Sequence, residues 1–329
     1  MVVSALAIKI RTTGGPDVMR LEPVGVGPPG PGEVLLRQTA IGVNFIDIYH
    51  RSGLYPTGEL PSGLGREAVG VVEAVGPKVT QFEPGDRVGY AGGPIGSYST
   101  WRVMDAELLV PLPDELSGEV AASALLKGMT AEFLIHRAFP VESGMTVLFH
   151  AAAGGVGHIA CQWLRHIGAR VIGTVSSESK ASFARAHGCH EVIQYGREED
   201  LVSQVHTLTR GRGVSVVFDG VGRDTLHASL ASLKRRGTLV LFGNASGRPQ
   251  ALDVLELSRH GSLYLTRPTL SDYTTTSAEL RASATALFDA LTSGKIEVEV
   301  GCRWALADAK KAHRALEARE TVGSTVLKP

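Results

Sequence analysis

The chain has little cysteine, no net charge and no long apolar run, and each absence removes a class of protein. Its three cysteines, Cys161, Cys189 and Cys302, are scattered, odd in number and without a CxxC pair, so neither a disulfide framework nor a cysteine zinc cluster is expected. Cys161 reads as a small core residue. Lysine plus arginine balance aspartate plus glutamate at 33 each, which leaves no global basic field to recruit nucleic acid or an anionic membrane. No apolar segment approaches the roughly twenty residues that cross a bilayer, and the first residues lack the charged and apolar regions of a secretory leader. The expected location is the cytoplasm. With 329 residues the chain exceeds one hydrophobic core and predicts two domains.

What is present is a strand that runs into a glycine-rich turn and then a helix. Val147, Leu148 and Phe149 lead into Ala151-Ala-Ala-Gly-Gly-Val-Gly157, after which Ile159, Ala160, Trp163, Leu164 and Ile167 form one apolar stripe at helical spacing. Glycines let a backbone approach a pyrophosphate, and the N–H groups and dipole of the following helix stabilise the anion. Ala152 replaces the usual first glycine, so the turn alone fits a dinucleotide site or an ordinary tight strand-to-helix turn. Its context is a repeat. Apolar strand candidates begin near Thr146, Arg170, Glu191, Val214, Gly237 and Ser262, with helical segments between them. Six parallel strands with such crossovers predict an α/β fold with a doubly wound, Rossmann-like sheet whose ligand crevice lies at the carboxyl ends of the strands.

The end of the second strand bears on which nicotinamide cofactor is held. A carboxylate about 20 residues after the glycines would bond the ribose 2′-hydroxyl of NAD and repel a 2′-phosphate. Val175 stands there instead, followed by Ser176, Ser177 and Lys180, two hydroxyl donors and a cation suited to a phosphate monoester. NADPH is therefore the expected cofactor. Glu178 reads either as a first-turn acid favoured at a helix N-terminus or as a ribose ligand. Lys180 also has a plain reading as a solvated helix lysine.

The first 125 residues have another texture. Short β-like segments (Ala5 to Ile10, Glu33 to Ala40, Ala68 to Val75, Arg87 to Tyr90, Ser97 to Val103) alternate with Pro and Gly turns, which predicts a mostly antiparallel β domain. One helix candidate, Asn44 to Ser52, interrupts it and carries Asp47 and Tyr49. Beyond Arg267 two helices, Ala278 to Leu291 and Leu306 to Glu317, and a strand, Ser324 to Leu327, can return to the β domain and make it discontinuous.

Gly144, Met145, Leu148, Ala152 to Gly155, Gly157, Gln162 and Arg165 stand at a family's spacing. So do the blocks Asn44-Phe-Ile-Asp47, Arg51-Ser-Gly-Leu-Tyr-Pro56, Leu126-Lys-Gly-Met-Thr130, Val221-Gly-Arg-Asp224, Phe242-Gly-Asn244 and Thr266-Arg-Pro268. Through these residues the chain resembles, from Ala5 to its end, the zeta-crystallin-type quinone oxidoreductases of the zinc-independent medium-chain dehydrogenase/reductase superfamily. The resemblance implies a GroES-like catalytic β domain, residues 1–126 completed by 268–329, and an NADPH-binding Rossmann domain, residues 127–267. It implies reduction of quinones by hydride or electron transfer from NADPH without a metal. Zinc alcohol dehydrogenases of the superfamily carry a cysteine where Asn44 stands and Gly-His-Glu where this chain reads Gly65-Arg66-Glu67; arginine is permanently protonated and asparagine lacks a thiolate, so neither replaces those ligands. His150, His158 and His166 read as surface or supporting groups, and no metal is expected.

Carried over by position, the resemblance places Asn44, Phe45, Ile46, Asp47 and Tyr49 beside the nicotinamide, and Thr130, Gly154, Gly155 and Val156 along the cofactor. Ser176, Ser177, Lys180 and Tyr195 would surround the 2′-phosphate. Val221, Phe242, Gly243, Asn244, Ala245, Arg267, Pro268, Thr269 and Arg319 would complete the groove, with sheet core as the plain reading of Val221 and Phe242. Asn44, Tyr49 and Tyr55 would shape a flat acceptor pocket, with Tyr49 either a proton donor to the quinone oxygen or a steric wall. Two alternatives share this sequence pattern: an NADPH-dependent reductase of enals or enones, and a crystallin-like structural or RNA-associated protein that binds NADPH. A homodimer is implied, joined at the outer strand Ser262 to Leu265, whose unpaired edge would otherwise invite aggregation.

Overall fold

The computed structural model describes residues 2–196 and 198–329. They form two units, one made of the chain up to Met129 with Thr274–Thr292 and Val298–Pro329, the other of Thr130–Tyr273 with Ser293–Glu297.

The first unit begins β1 (Val3–Ile10), β2 (Met19–Val26), β3 (Glu33–Val43), helix α1 (Phe45–Ser52), β4 (Ser62–Gly63), β5 (Glu67–Val75), β6 (Arg87–Ala91), β7 (Trp101–Asp105) and β8 (Val110–Pro111). Helix α2 (Gly118–Phe133) then continues the chain into the second unit. There β9 (Thr146–Phe149), α3 (Gly155–Ile167), β10 (Arg170–Val175), α4 (Glu178–Ala186), β11 (Glu191–Gln194), α5 (Glu198–Leu208) and β12 (Val214–Asp219) follow. The unit continues with α6 (Leu226–Ala231), β13 (Leu233–Leu241), α7 (Leu255–Arg259) and β14 (Tyr264–Thr266). The chain then returns to the first unit as α8 (Ser277–Thr292), β15 (Val300–Ala305), α9 (Ala309–Glu317) and β16 (Ser324–Lys328).

The six strands of the second unit pair in parallel in the order β11-β10-β9-β12-β13-β14. The order reverses between β9 and β12, which is the doubly wound arrangement with its switch point there. All six residues of β12 are buried, as a strand covered on both faces requires, and this is why Val214 to Phe218 lacks polar alternation. In the first unit a seven-stranded sheet runs β15-β16-β3-β5-β6-β8, with β7 also on β3, and a second sheet pairs β2-β1-β4. The returning strand β16 lies antiparallel to β3, so the C-terminal segment completes the sheet that the N-terminal segment starts.

Several elements, β4, β8 and β15 among them, depart from the sequence reading, and for three others the reason is physical. Strand β2 carries no clear strand signal, because only Met19 in it is buried and Pro23 interrupts any alternation. Helix α2 shows no stripe because Ala121, Ala122, Ala124, Leu125, Met129, Ala131 and Phe133 bury nearly its whole circumference. Strand β13 starts at Leu233, before Gly237, since the exposed Lys234, Arg235 and Arg236 still run along the sheet through a bulged pairing with β12.

The core of the first unit contains a polar chain that fixes α1. The Arg51 side chain is buried and donates to Gly14 O at 3.0 Å, to both carboxylate oxygens of Glu317 at 2.5 and 3.0 Å, and to His313 Nδ1 at 3.0 Å. Arginine cannot accept, so His313 Nδ1 is the acceptor and the ring proton sits on Nε2. From there it is donated to Tyr98 at 2.9 Å, and the Tyr98 hydroxyl donates to Asp47 Oδ2 at 3.0 Å. The same oxygen accepts the Asn44 N–H at 2.9 Å, closing the first turn of α1. Gly53 ends the helix at φ 83°, a left-handed conformation suited to glycine.

Burial raises the Asp47 carboxyl to about 7 against the pull of its two donors, and burial with the Arg51 charge pushes His313 down to about 3. An unfolded aspartate titrates near 4, so stability tied to the protonated Asp47 is complete below that pH and is lost as pH rises to about 7. His313 has the opposite slope: its neutral form stabilises the fold above about 6.5, and this is lost toward pH 3. Asp47→Asn keeps an oxygen for both donors and removes the titration. Relative to wild type, the variant is expected to gain stability at pH 8 over pH 5 by up to about 2.6 kcal/mol, since pH 5 already lies above the unfolded pKa. Urea unfolding of both proteins at the two pH values measures this, and an equal difference at both would contradict it.

Candidate active site

In the first unit the site is built where β3 ends, α1 begins and β5 starts. Asn44 is the N-cap of α1; its side-chain amide donates to Glu67 Oε2 at 2.8 Å. Glu67 is fully buried at the head of β5, and its Oε1 accepts the Leu126 N–H at 2.7 Å while Lys127 Nζ lies 3.2 Å from Oε2. A buried carboxylate is tolerated only when charge and hydrogen bonds compensate it, and here an amide, a peptide N–H and an ammonium do so. Gly42 leaves the room: a Cβ there would lie 2.1 Å from Glu67 Oε2 and 2.4 Å from Ala122 O.

Along α1, Tyr49 stands edge-on to Tyr55 with ring centroids 5.1 Å apart and tilted against Phe45 at 6.3 Å. The Tyr55 ring also meets His50 edge-on at 6.0 Å. Phe45 and Ile46 are half-buried, whereas Asp47 is fully buried with its carboxylate turned to Tyr98. Arg66, between Gly65 and Glu67, is half-buried. Arg319 follows α9 at the surface with φ 59°.

In the second unit the residues expected around a dinucleotide fall at the carboxyl ends of all six strands. The turn after β9 places Ala151 at φ 53° and caps α3 with Gly154 through backbone alone. A Cβ on Gly157 would lie 2.4 Å from Ala151 O, so the turn closes on itself only with glycine there. The first turn of α3 holds no acid, which leaves its N–H groups and dipole open to an anion. Ser176 and Ser177 follow β10, and Ser177 caps α4 by accepting the Lys180 N–H at 3.4 Å. Glu178 bonds Arg185 at 3.2 Å and Gln194 at 2.5 Å, the first-turn acid rather than a group turned to a ribose. Tyr195 follows β11, and its hydroxyl accepts the Ala151 N–H at 3.0 Å. Asp219, at the end of β12, accepts Val221 N–H at 2.8 Å and Gly222 N–H at 3.0 Å. Phe242 to Ala245 follow β13, with Ala245 N–H donating to Gly220 O at 3.2 Å. Arg267, Pro268 and Thr269 follow β14, and Thr130 lies in α2.

Sequence reasoning passes over several groups. His150 and His158 are core residues, not surface ones; His150 sits between Thr174 Oγ1 at 2.9 Å and Ser229 Oγ at 3.0 Å under the glycine turn, and burial lowers its pKa. His166 is exposed. Glu67, Lys127, Tyr98 and His313 have no role that spacing alone assigns. The available signal is Lys127, the one cation in α2. Among the described residues no group of three or more His, Cys, Asp or Glu is placed to hold a metal, and none of their helices is long and apolar enough to cross a membrane.

The profile of the alcohol dehydrogenase GroES-like domain matches residues 30–114, and that of the zinc-binding dehydrogenases matches residues 155–289. The chain is 50% identical to a quinone oxidoreductase of Pseudomonas aeruginosa over 325 residues, covering 99% of this chain and 100% of the relative. It is 46% identical to a 2-haloacrylate reductase of a Burkholderia species, covering 98% and 99%. A crystal structure of the Escherichia coli quinone oxidoreductase complexed with NADPH superposes with a TM-score of 0.96 at 45% identity, over 98% of this chain and all of that one. Full-length identity of this order, carried on the same two-sheet architecture, means that the chain belongs to the quinone oxidoreductase family of the medium-chain dehydrogenase/reductase superfamily.

Proposed function

We propose that the protein is an NADPH-dependent quinone reductase whose second unit holds the nucleotide and whose first unit supplies the acceptor pocket. The observation that carries this is the open N-terminus of α3 behind a glycine turn, joined at the next strand end by Ser176, Ser177 and Lys180 with Glu178 engaged elsewhere. When bound, NADPH supplies the hydride. The chain's own residues would hold it: the α3 N–H groups would take the pyrophosphate, Ser176, Ser177, Lys180 and Tyr195 would surround the 2′-phosphate, and Gly154 to Val156, Thr130, Val221, Phe242 to Ala245, Arg267 to Thr269 and Arg319 would line the remainder. In the first unit, the Glu67 carboxylate fixes the Asn44 amide, and the Tyr49 and Tyr55 rings offer flat apolar edges to a flat acceptor. The Tyr49 hydroxyl can donate a proton or hydrogen bond to the acceptor oxygen.

An activated alkene is the second acceptor class, supported by the 46% identity to a 2-haloacrylate reductase. The protein is read as cytoplasmic, in keeping with three free cysteines. It is also read as a homodimer. Among the described residues strand β14 pairs only with β13, and on that strand Tyr264 is 61% exposed and Leu265 39% exposed, an apolar edge that a second copy would cover.

The rate of NADPH oxidation across simple quinones and small enals, with NADH in parallel, tests the assignment; quinones with NADPH should be preferred, and NADPH binding without turnover of any acceptor would overturn it. Lys180→Glu should raise KM for NADPH by about 10- to 100-fold and affect NADH less, since one charge-assisted phosphate contact is lost. Tyr49→Phe should lower kcat for quinones by at least about tenfold if the hydroxyl donates a proton; unchanged turnover assigns Tyr49 to the wall alone. Leu265→Lys should convert a species of twice 34.8 kDa to a monomer in sedimentation.

A further inference from the structure

We infer that Arg66 is the specificity-determining residue of the acceptor pocket, selecting acceptors that carry a carboxylate or sulfonate beside the reducible ring or alkene. This rests on the reading that Asn44, Tyr49 and Tyr55 line that pocket.

The backbone at Arg66 has no freedom. Gly65 sits at φ 88°, and a Cβ there would come within 2.2 Å of Ser97 Oγ and Tyr98 Cδ1. On the other side Glu67 is locked by Asn44, Leu126 and Lys127, and the Arg66 carbonyl accepts the Gly92 N–H at 2.8 Å. The side chain lies near α1, close enough for its charge to interact with Asp47 and His50.

Its guanidinium nevertheless makes no hydrogen bond or ion pair among the described residues. The neighbouring groups are committed. Asp47 Oδ2 takes its bonds from Asn44 and Tyr98, and His50 Nδ1 lies 2.8 Å from Pro56 O. Arg102 donates to the Tyr90 hydroxyl at 3.3 Å and to Pro94 O, with its guanidinium 5.3 Å from the Tyr90 ring centre. Arg102 adds a second positive charge to this corner, and burial lowers the Arg66 pKa while Asp47 opposes it. Arginine stays charged under such shifts. A half-buried guanidinium without a partner among the described residues keeps its donors available to a ligand, and its planar fork matches a carboxylate or sulfonate in two parallel bonds. The edge-on contacts His50–Tyr55 and Tyr55–Tyr49 gather flat ring surfaces on and just after α1, near the His50 on which the Arg66 charge acts. A flat acceptor with one anionic substituent satisfies both features. A haloacrylate, with its carboxylate next to the alkene, belongs to this class.

The test compares 1,4-naphthoquinone with 1,4-naphthoquinone-2-sulfonate in the wild type, Arg66→Gln and Arg66→Lys. The ratio of kcat/KM for the sulfonate over the neutral quinone should fall by about tenfold or more in Arg66→Gln, mainly through KM, and by less in Arg66→Lys, which keeps the charge but not the fork. A ratio unchanged in Arg66→Gln overturns the proposal. Calorimetric binding of naphthalene-2-sulfonate reads the same site without turnover: binding to wild type that weakens about tenfold in Arg66→Gln supports it, and no binding to wild type overturns it. If wild type reduces neither quinone, the quinone reading fails on its own while the calorimetric result still decides the anion site.

Discussion

Glu67 presents the hardest constraint in the molecule: a carboxylate with no exposure, placed where β5 starts, β3 ends and α2 passes. Leaving such a charge without partners would cost several kcal/mol, and the three compensating groups fix two different elements. The Leu126 N–H and Lys127 ammonium bind α2 to it, and the Asn44 amide binds the start of α1. Gly42 is the consequence in the sequence, since no larger residue fits against the carboxylate. The position of Tyr49 follows, because it lies one turn beyond the cap that Asn44 provides. Removing one partner would strand the others, whereas an apolar replacement of the whole set would release the cap and leave α1 without its anchor.

The second unit solves a different problem with backbone alone. A parallel sheet whose order reverses between β9 and β12 leaves its loops at one edge, and the turn there closes through backbone alone. Any Cβ at Gly157 would fall 2.4 Å from Ala151 O, so the tightness of the turn is a property of the chain before any ligand arrives. Beneath it His150, Thr174, Ser229 and Asp219 form a buried hydrogen-bonded cluster, and Tyr195 holds the Ala151 N–H from above β11. The loop is thereby preorganised, which lowers the ordering cost of binding.

These two solutions differ in how far the sequence reveals them. Glycines at fixed offsets and apolar strand runs are local signals, so the doubly wound sheet, its turn and the residues at the strand ends are legible from one-dimensional spacing. The polar clusters are not. Arg51 and His313 are 262 residues apart, and Glu67 and Lys127 are 60 apart. A charged residue in a sequence reads as solvated by default, and only the fold shows that these are buried and mutually satisfied. Helix α2 belongs to the same class, because burial on all sides erases the stripe by which a helix is recognised.

The two buried carboxyl groups at the head of α1 are therefore not equivalent. Glu67 meets an ammonium and two N–H donors, whereas among the described residues Asp47 meets only a peptide N–H and a phenol, and its buried Oδ1 has no partner there. Desolvation then dominates and lifts Asp47 to about 7. The start of α1 is thus held on one side by a carboxylate clamped by a cation and on the other by a carboxyl that changes charge near neutrality. Both hold Asn44, the first by its side chain and the second by its backbone. A proton on Asp47 weakens the acceptor of the Asn44 N–H but removes the larger desolvation cost of the buried charge, so protonation favours the fold while the Asn44 amide stays fixed on Glu67. Ionisation of Asp47 also places a negative charge in the field of Arg66, offsetting part of the positive potential that an anionic acceptor would meet. Acidification therefore both removes the desolvation cost at the head of α1 and leaves the charge of Arg66 less offset, two consequences of one buried carboxyl.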